Sequence, residues 1–262
     1  MNTAAGSYRG GSGTPLLLLH SGFHTWVEFR SLIRELEPHR DVLAVTLPGS
    51  AGGPPLELRD STLLDAFANH VEAALDDADW TEPVSMVGSS YGGVTAIELG
   101  ARGRARDVVA LAPPWPVGAG LAFYGLAFAA PLIALRVTEP VHGLLARGGR
   151  LSGLLYSGSP RPPELAEEDI RTLWQSVGRF PFWRTGLASG LGGPGMPDPS
   201  HVRCPVTLVW GTTDRLVPHW MRARWEEALP DAHVETLDGF PHQPHLRDPK
   251  RVAELILSSS NE

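Results

Sequence analysis

Apolar residues along the chain follow two alternating patterns. Short continuous runs at Leu16-Leu17-Leu18-Leu19, Val42-Leu43-Ala44-Val45-Thr46-Leu47, Val84-Ser85-Met86-Val87, Val108-Val109-Ala110-Leu111-Ala112 and Val206-Thr207-Leu208-Val209-Trp210 read as buried strands. Between them the period lengthens. From Ser61 to Asp76, the residues Leu64, Phe67, Ala68, Val71 and Leu75 recur at helical spacing behind a Ser/Thr start that can cap the helix. Further helices are expected from Trp220 to Leu229 and from Lys250 to Leu257, and Val234-Glu235-Thr236-Leu237 alternates as a strand does. Strands alternating with helices predict an α/β fold, in which a mostly parallel central sheet is flanked by helices on both faces.

This pattern divides the chain into a core, residues 1–114 and 196–262, and an insertion at 115–195 that is expected to form a helical lid. Gly192-Gly193-Pro194-Gly195-Met196-Pro197-Asp198-Pro199 is the linker leading back to the core. Val117 to Leu135 carries no charge, and such a run is long enough to span a bilayer. Gly118, Gly120, Gly125 and Pro131 interrupt it, however, and both flanks must return to one sheet, so a lid with an apolar underside is predicted instead of a membrane span. Glu164, Glu167, Glu168 and Asp169 after Pro162-Pro163 predict a solvated helix start. Trp174, Phe180, Phe182 and Trp183 either pack the lid or line a pocket.

The chemistry concentrates at Pro83-Val84-Ser85-Met86-Val87-Gly88-Ser89-Ser90-Tyr91-Gly92-Gly93. An apolar run enters a glycine-flanked serine and a helical pattern leaves it, the context of a nucleophile elbow that presents a hydroxyl above the end of a sheet. So tight a turn needs small neighbours, which Gly88 and Gly92 provide. Ser90 is the candidate nucleophile, and the Tyr91 backbone N–H is a candidate oxyanion donor at the positive end of the following helix.

On these residues the chain resembles the α/β-hydrolase fold superfamily with a serine nucleophile, whose triad runs in the order serine, acid, histidine. The resemblance implies Asp214 as the acid, on the loop after the strand at 206–210. Its plain structural alternative is a residue that turns the chain before the helix near 219. The histidine is implied to be His242, three residues after Gly239 in Asp238-Gly239-Phe240-Pro241-His242. His245 competes locally, and a solvated or capping role is expected for it. The same resemblance places a second oxyanion donor at Gly22, two residues after His20. Ser21 stands where the family has glycine, a costly exchange if that backbone position needs a positive φ. His20 is expected to brace this loop, whereas His24 is left open between pocket and solvent. Phe23, His24, Phe123, Tyr124, Phe128 and Trp183 are the candidate substrate-facing residues. The family commonly starts with two antiparallel strands, but only about one fits before Leu16, so an edge strand is expected to be missing or short.

Composition narrows the functional classes. A chain of 262 residues, 42% hydrophobic, can bury one large α/β core. A net charge of −7 with no long basic run argues against a nucleic-acid surface. The single Cys204 excludes an intrachain disulfide and reads as a small buried thiol; no Cys/His cluster with metal spacing occurs, so no metal or cofactor is expected. Met1 to Gly10 lacks a secretory pattern, which predicts a cytoplasmic protein without stable membrane insertion.

The expected activity is therefore a serine hydrolase that cleaves a carboxylic ester, lactone or thioester with an apolar portion through an acyl-enzyme. A non-hydrolytic enzyme on the same fold (carbon-carbon cleavage, lyase chemistry, perhydrolysis or cyclisation) and a noncatalytic small-molecule receptor are the other readings. Epoxide hydrolases and haloalkane dehalogenases use a carboxylate nucleophile where this chain has Ser90.

Overall fold

The structure is a computed structural model describing residues 6–22, 24–58, 61–115 and 195–259. Its strands are β1 (Ser7–Gly11), β2 (Thr14–Leu19), β3 (Arg40–Val45), β4 (Val84–Ser89), β5 (Ala105–Leu111), β6 (Val206–Gly211) and β7 (His233–Leu237). The described helices are α1 (Arg30–Leu36), α2 (Leu63–Asp77), α3 (Tyr91–Ala101), α4 (His219–Ala228), α5 (Pro244–Arg247) and α6 (Pro249–Ser259). One seven-stranded sheet runs in the order β1-β3-β2-β4-β5-β6-β7. Every neighbouring pair is parallel except β1 with β3, which is antiparallel. Among the described residues a single antiparallel strand, β1, precedes the first parallel one.

The four leucines of β2 explain why the strands read as continuous apolar runs. Successive side chains leave a strand on opposite faces, so Leu17 and Leu19 enter the core beneath α2, α3 and α4 with Phe67, Val71, Ile97 and Trp225. Leu16 and Leu18 enter the opposite core with Leu32 and Ile33 of α1 and Val252 and Ile256 of α6. All four leucines are fully buried, each worth about 2 kcal/mol of transfer free energy. A polar residue at any of them would face apolar neighbours, and there is no solvated face to turn to.

Boundaries follow local hydrogen bonding. Helix α2 is capped by Thr62, whose hydroxyl accepts from Asp65 N–H while the Asp65 carboxylate accepts from Thr62 N–H, so both partners satisfy otherwise orphaned donors. The β3 run was expected to reach Leu47 but leaves the sheet at Val45, because Thr46 N–H donates to Gly6 O and Leu47 N–H to His20 Nε2. Cys204 is half-buried rather than fully enclosed, and burial raises its thiol pKa. The lid expected at 115–195 falls almost wholly outside the described residues, as does the run from Val117 to Leu135. Among the described residues no helix is long and apolar enough to cross a membrane.

Candidate active site

Six parallel strands, β2 to β7, end along one sheet edge, and the loops leaving β2, β4, β6 and β7 carry the candidate residues. Ser90 follows β4 with φ 52° and ψ −119°, a conformation that costs a side-chain-bearing residue roughly 1–3 kcal/mol. Backbone bonds hold it there: Ser90 N–H donates to Leu111 O at 2.7 Å, and Ser90 O accepts from Gly93 N–H at 2.9 Å to open α3. The flanking glycines are sterically required. A Cβ on Gly88 would lie 2.2 Å from Gly92 O, and one on Gly92 would lie 2.2 Å from Leu19 O. Tyr91 is the first residue of α3; its ring turns into the core, edge-on to Phe67 at 5.7 Å, so its backbone is what remains at the helix N-terminus.

Asp214 and His242, 28 positions apart, are brought together. His242 Nδ1 lies 2.8 Å from Asp214 Oδ2, and both side chains are buried. The other carboxylate oxygen, Oδ1, accepts from Leu216 N–H at 2.7 Å and Val217 N–H at 3.0 Å. Asp214 therefore also turns the chain before α4, the role of its plain structural alternative, while its Oδ2 faces His242. Burial alone would raise its pKa; the facing His242 and the two backbone donors outweigh that and hold it below the ordinary aspartate value. With the imidazole proton directed at the carboxylate, Nε2 is left with its lone pair.

The loop after β2 is locked from several sides. His20 Nε2 accepts from Leu47 N–H at 2.8 Å, which places the ring proton on Nδ1, 2.7 Å from Ser21 O. Complete burial lowers the His20 pKa to about 4, so the neutral ring persists near pH 7, and it braces the loop as expected. Ser21 is absent from the residues with positive φ, and the departure from glycine carries no backbone strain. Instead Ser21 N–H and Oγ–H both donate to Glu28, at 2.9 and 2.6 Å.

Glu28 was not singled out from the sequence. It sits on the 3-10 turn Trp26–Phe29, and its side chain is fully buried. His24 Nδ1 lies 2.8 Å from it, Gln243 Nε2 lies 3.5 Å away, and His245 Nε2 lies 3.7 Å away. Burial opposes its ionisation, but the surrounding histidines prevail and its pKa falls to about 2. The signal available in the sequence was His24 and Glu28 four residues apart in an otherwise apolar segment. His24 is buried in this cluster, which excludes the solvent-facing alternative. His245 was expected to be solvated or capping; it is fully buried, tilted against Phe29 with ring centroids 4.9 Å apart, and burial lowers its pKa to about 4. Pro244 and Leu246 on the same short helix are also buried, so α5 draws His245 inward.

Of the remaining candidates, Gly22 is buried on the turn after β2 and closes the described segment 6–22, while Phe23, Phe123, Tyr124, Phe128 and Trp183 lie outside the described residues. Among the described residues no group of histidine, cysteine and acidic side chains is arranged to hold a metal ion.

Comparison with known proteins agrees with this architecture. Residues 16–255 match the sequence profile of the alpha/beta hydrolase family. The chain is 32% identical over 203 residues to a protein named epoxide hydrolase EphH of Mycobacterium tuberculosis, covering 75% of this chain and 94% of that one. It is 25% identical to the pimeloyl-[acyl-carrier protein] methyl ester esterase of Vibrio vulnificus, over 95% of this chain and 94% of the other. Among solved structures, esterase RhEst1 from Rhodococcus sp. ECU1013 superposes with a TM-score of 0.70 at 22% identity, covering 97% of this chain and 94% of that one. The parallel sheet, the positive-φ serine after its fourth strand and the profile spanning nearly the whole length agree: the chain belongs to the alpha/beta hydrolase family.

Proposed function

We propose that the protein is a serine hydrolase that cleaves a carboxylic ester, lactone or thioester with an apolar portion through an acyl-enzyme. The observation that carries this reading is the 2.8 Å bond between Asp214 Oδ2 and His242 Nδ1, which leaves His242 Nε2 as a base on the sheet edge from which Ser90 projects. Ser90 Oγ attacks the substrate carbonyl carbon as Nε2 takes its proton. Negative charge moves to the carbonyl oxygen, where the backbone N–H groups of Gly22 and Tyr91 receive it. Nε2–H then protonates the departing alcohol or thiol, the acyl-enzyme forms, and a water deprotonated by the same nitrogen releases the acid. Asp214 remains ionised throughout and stabilises the imidazolium.

The relative named an epoxide hydrolase favours a second reading, ring opening of an epoxide. Chemistry at the elbow speaks against it. A carboxylate attacking an epoxide forms an ester that water can cleave, whereas a serine alkoxide would form an ether with no acyl carbon for water to attack. The deciding experiment compares wild type with Ser90→Ala on activated esters and on an aryl epoxide. Ester turnover falling by roughly 10⁴-fold or more in Ser90→Ala supports the acyl-enzyme. Retained ester turnover refutes it, and epoxide opening by Ser90→Ala at wild-type rate would assign that chemistry elsewhere.

A further inference from the structure

We infer that Glu28 is a positioning residue that fixes the oxyanion-donating loop and the histidine loop as one unit, an inference that rests on the serine-hydrolase reading. In a trans peptide the C=O and N–H point in opposite directions, so the aim of Gly22 N–H is set by whatever holds Ser21 O. Two donors hold it: His20 Nδ1–H at 2.7 Å and His24 N–H at 3.0 Å. Glu28 holds the other half of the same residue, one carboxylate oxygen accepting Ser21 N–H and the second accepting Ser21 Oγ–H. Its third contact is the His24 ring at 2.8 Å, so Ser21 and the residue whose N–H donates to Ser21 O are tied to one carboxylate.

The link continues to the other side of the site. Gln243 Nε2–H donates to Ser21 Oγ at 3.0 Å and approaches Glu28 Oε2 at 3.5 Å, and Gln243 is the residue next to His242. Ser21 Oγ thus donates to Glu28 and accepts from Gln243, a double role that glycine at this position would abolish. Ser21, His24, Glu28 and Gln243 are all buried, so the hydrogen bonds within the cluster stand in for contacts with water. The serine that departs from the family pattern is the piece through which the carboxylate reaches both loops.

Glu28→Gln keeps the size of the side chain but replaces one acceptor oxygen by a donor, which opposes either the Ser21 hydroxyl proton or its amide. The expected result is a folded variant whose kcat on an activated ester falls roughly 10- to 100-fold with KM within about twofold of wild type. Affinity for a trifluoromethyl ketone, whose tetrahedral adduct carries the oxyanion, should weaken by the same factor. A merely structural role would lower the melting temperature and leave kcat of the folded enzyme unchanged, and that result overturns the inference. If Glu28→Gln does not fold, Ser21→Ala reads the same link with the Glu28–amide bond retained: a kcat loss of about tenfold supports it, wild-type kcat overturns it. Retained turnover in Ser90→Ala would strike the serine mechanism, whereas wild-type kcat in Glu28→Gln strikes only the role of Glu28.

Discussion

Replacing Gly211 by alanine should disable catalysis from behind the site, without touching any candidate catalytic side chain. A Cβ on Gly211 would lie 2.0 Å from Phe240 O, 2.5 Å from Phe240 C and 2.8 Å from Pro241 O. All three are backbone atoms, so no rotamer change relieves the clash. The Cβ and Phe240 O must separate by roughly 1.4 Å to reach even close van der Waals contact. Phe240 O also accepts Thr213 N–H at 3.0 Å and Thr213 Oγ1–H at 2.8 Å, bonds that tie the Asp214 loop to the His242 loop. A shift of this size in one loop therefore pulls on both members of the Asp214–His242 pair. Overpacking of this kind costs about 1–3 kcal/mol of stability, and a misplacement near 1 Å costs about 100-fold in rate. Urea denaturation and kcat on an activated ester read the two effects separately. Gly103→Ala is the control: Gly103 has φ +77° but nothing within 4 Å of its Cβ, so it should lose roughly 1 kcal/mol of stability with unchanged kcat. A Gly211→Ala protein with wild-type kcat and stability would refute the reasoning.

Two further outcomes follow from the buried charges. His20 and His245 are held near 4, below the unfolded histidine value, so each contributes stability that is complete above about pH 6.5 and is lost as pH falls through 4. At pH 5 the loss is about 2 kcal/mol per histidine, and Glu28, depressed to about 2, adds a loss of the same sign below pH 4.5. Urea midpoints that do not fall between pH 7 and pH 5 would contradict this. Asp214→Asn would present an amide N–H to His242 Nδ1 and favour the wrong tautomer. Its kcat should fall about 10⁴-fold with stability nearly kept, as seen in single-turnover ester cleavage, and a loss below tenfold would remove Asp214 from its orienting role.

What was legible in the sequence is what depends on neighbours along the chain. The leucine run at 16–19 specifies a strand buried on both faces, and Gly88 and Gly92 mark the backbone approach that brackets Ser90. The Thr62 cap was legible as a Ser/Thr start because capping is decided within four residues. Strand ends were less legible. Thr46 and Leu47 continue the apolar run of β3, and their departure from the sheet is set by Gly6 and His20 across the fold. His245 was misjudged for the same reason: a histidine after a proline near a helix start looks exposed, and only the docking of α5 against Phe29 buries it. Glu28 and Gln243 lie 215 positions apart, and beyond the four-residue spacing of His24 and Glu28 nothing local marked their meeting.

Ser21 shows how a departure from a family pattern acquires meaning only with coordinates. From the sequence, a serine in place of glycine on the oxyanion loop looked like a backbone penalty. The penalty does not arise, since Ser21 does not take a positive φ. What the substitution adds is a hydroxyl, and a buried hydroxyl without partners would cost about 1–3 kcal/mol. Glu28 and Gln243 supply those partners, so the three residues make sense only together. Removing any one leaves the other two with buried polar groups, which predicts strongly non-additive effects in a Ser21→Ala, Glu28→Gln double-mutant cycle. The loop after β2, proposed to carry an oxyanion donor, is therefore held by a side-chain cluster as well as by its own backbone, and its geometry depends on the loop that carries His242.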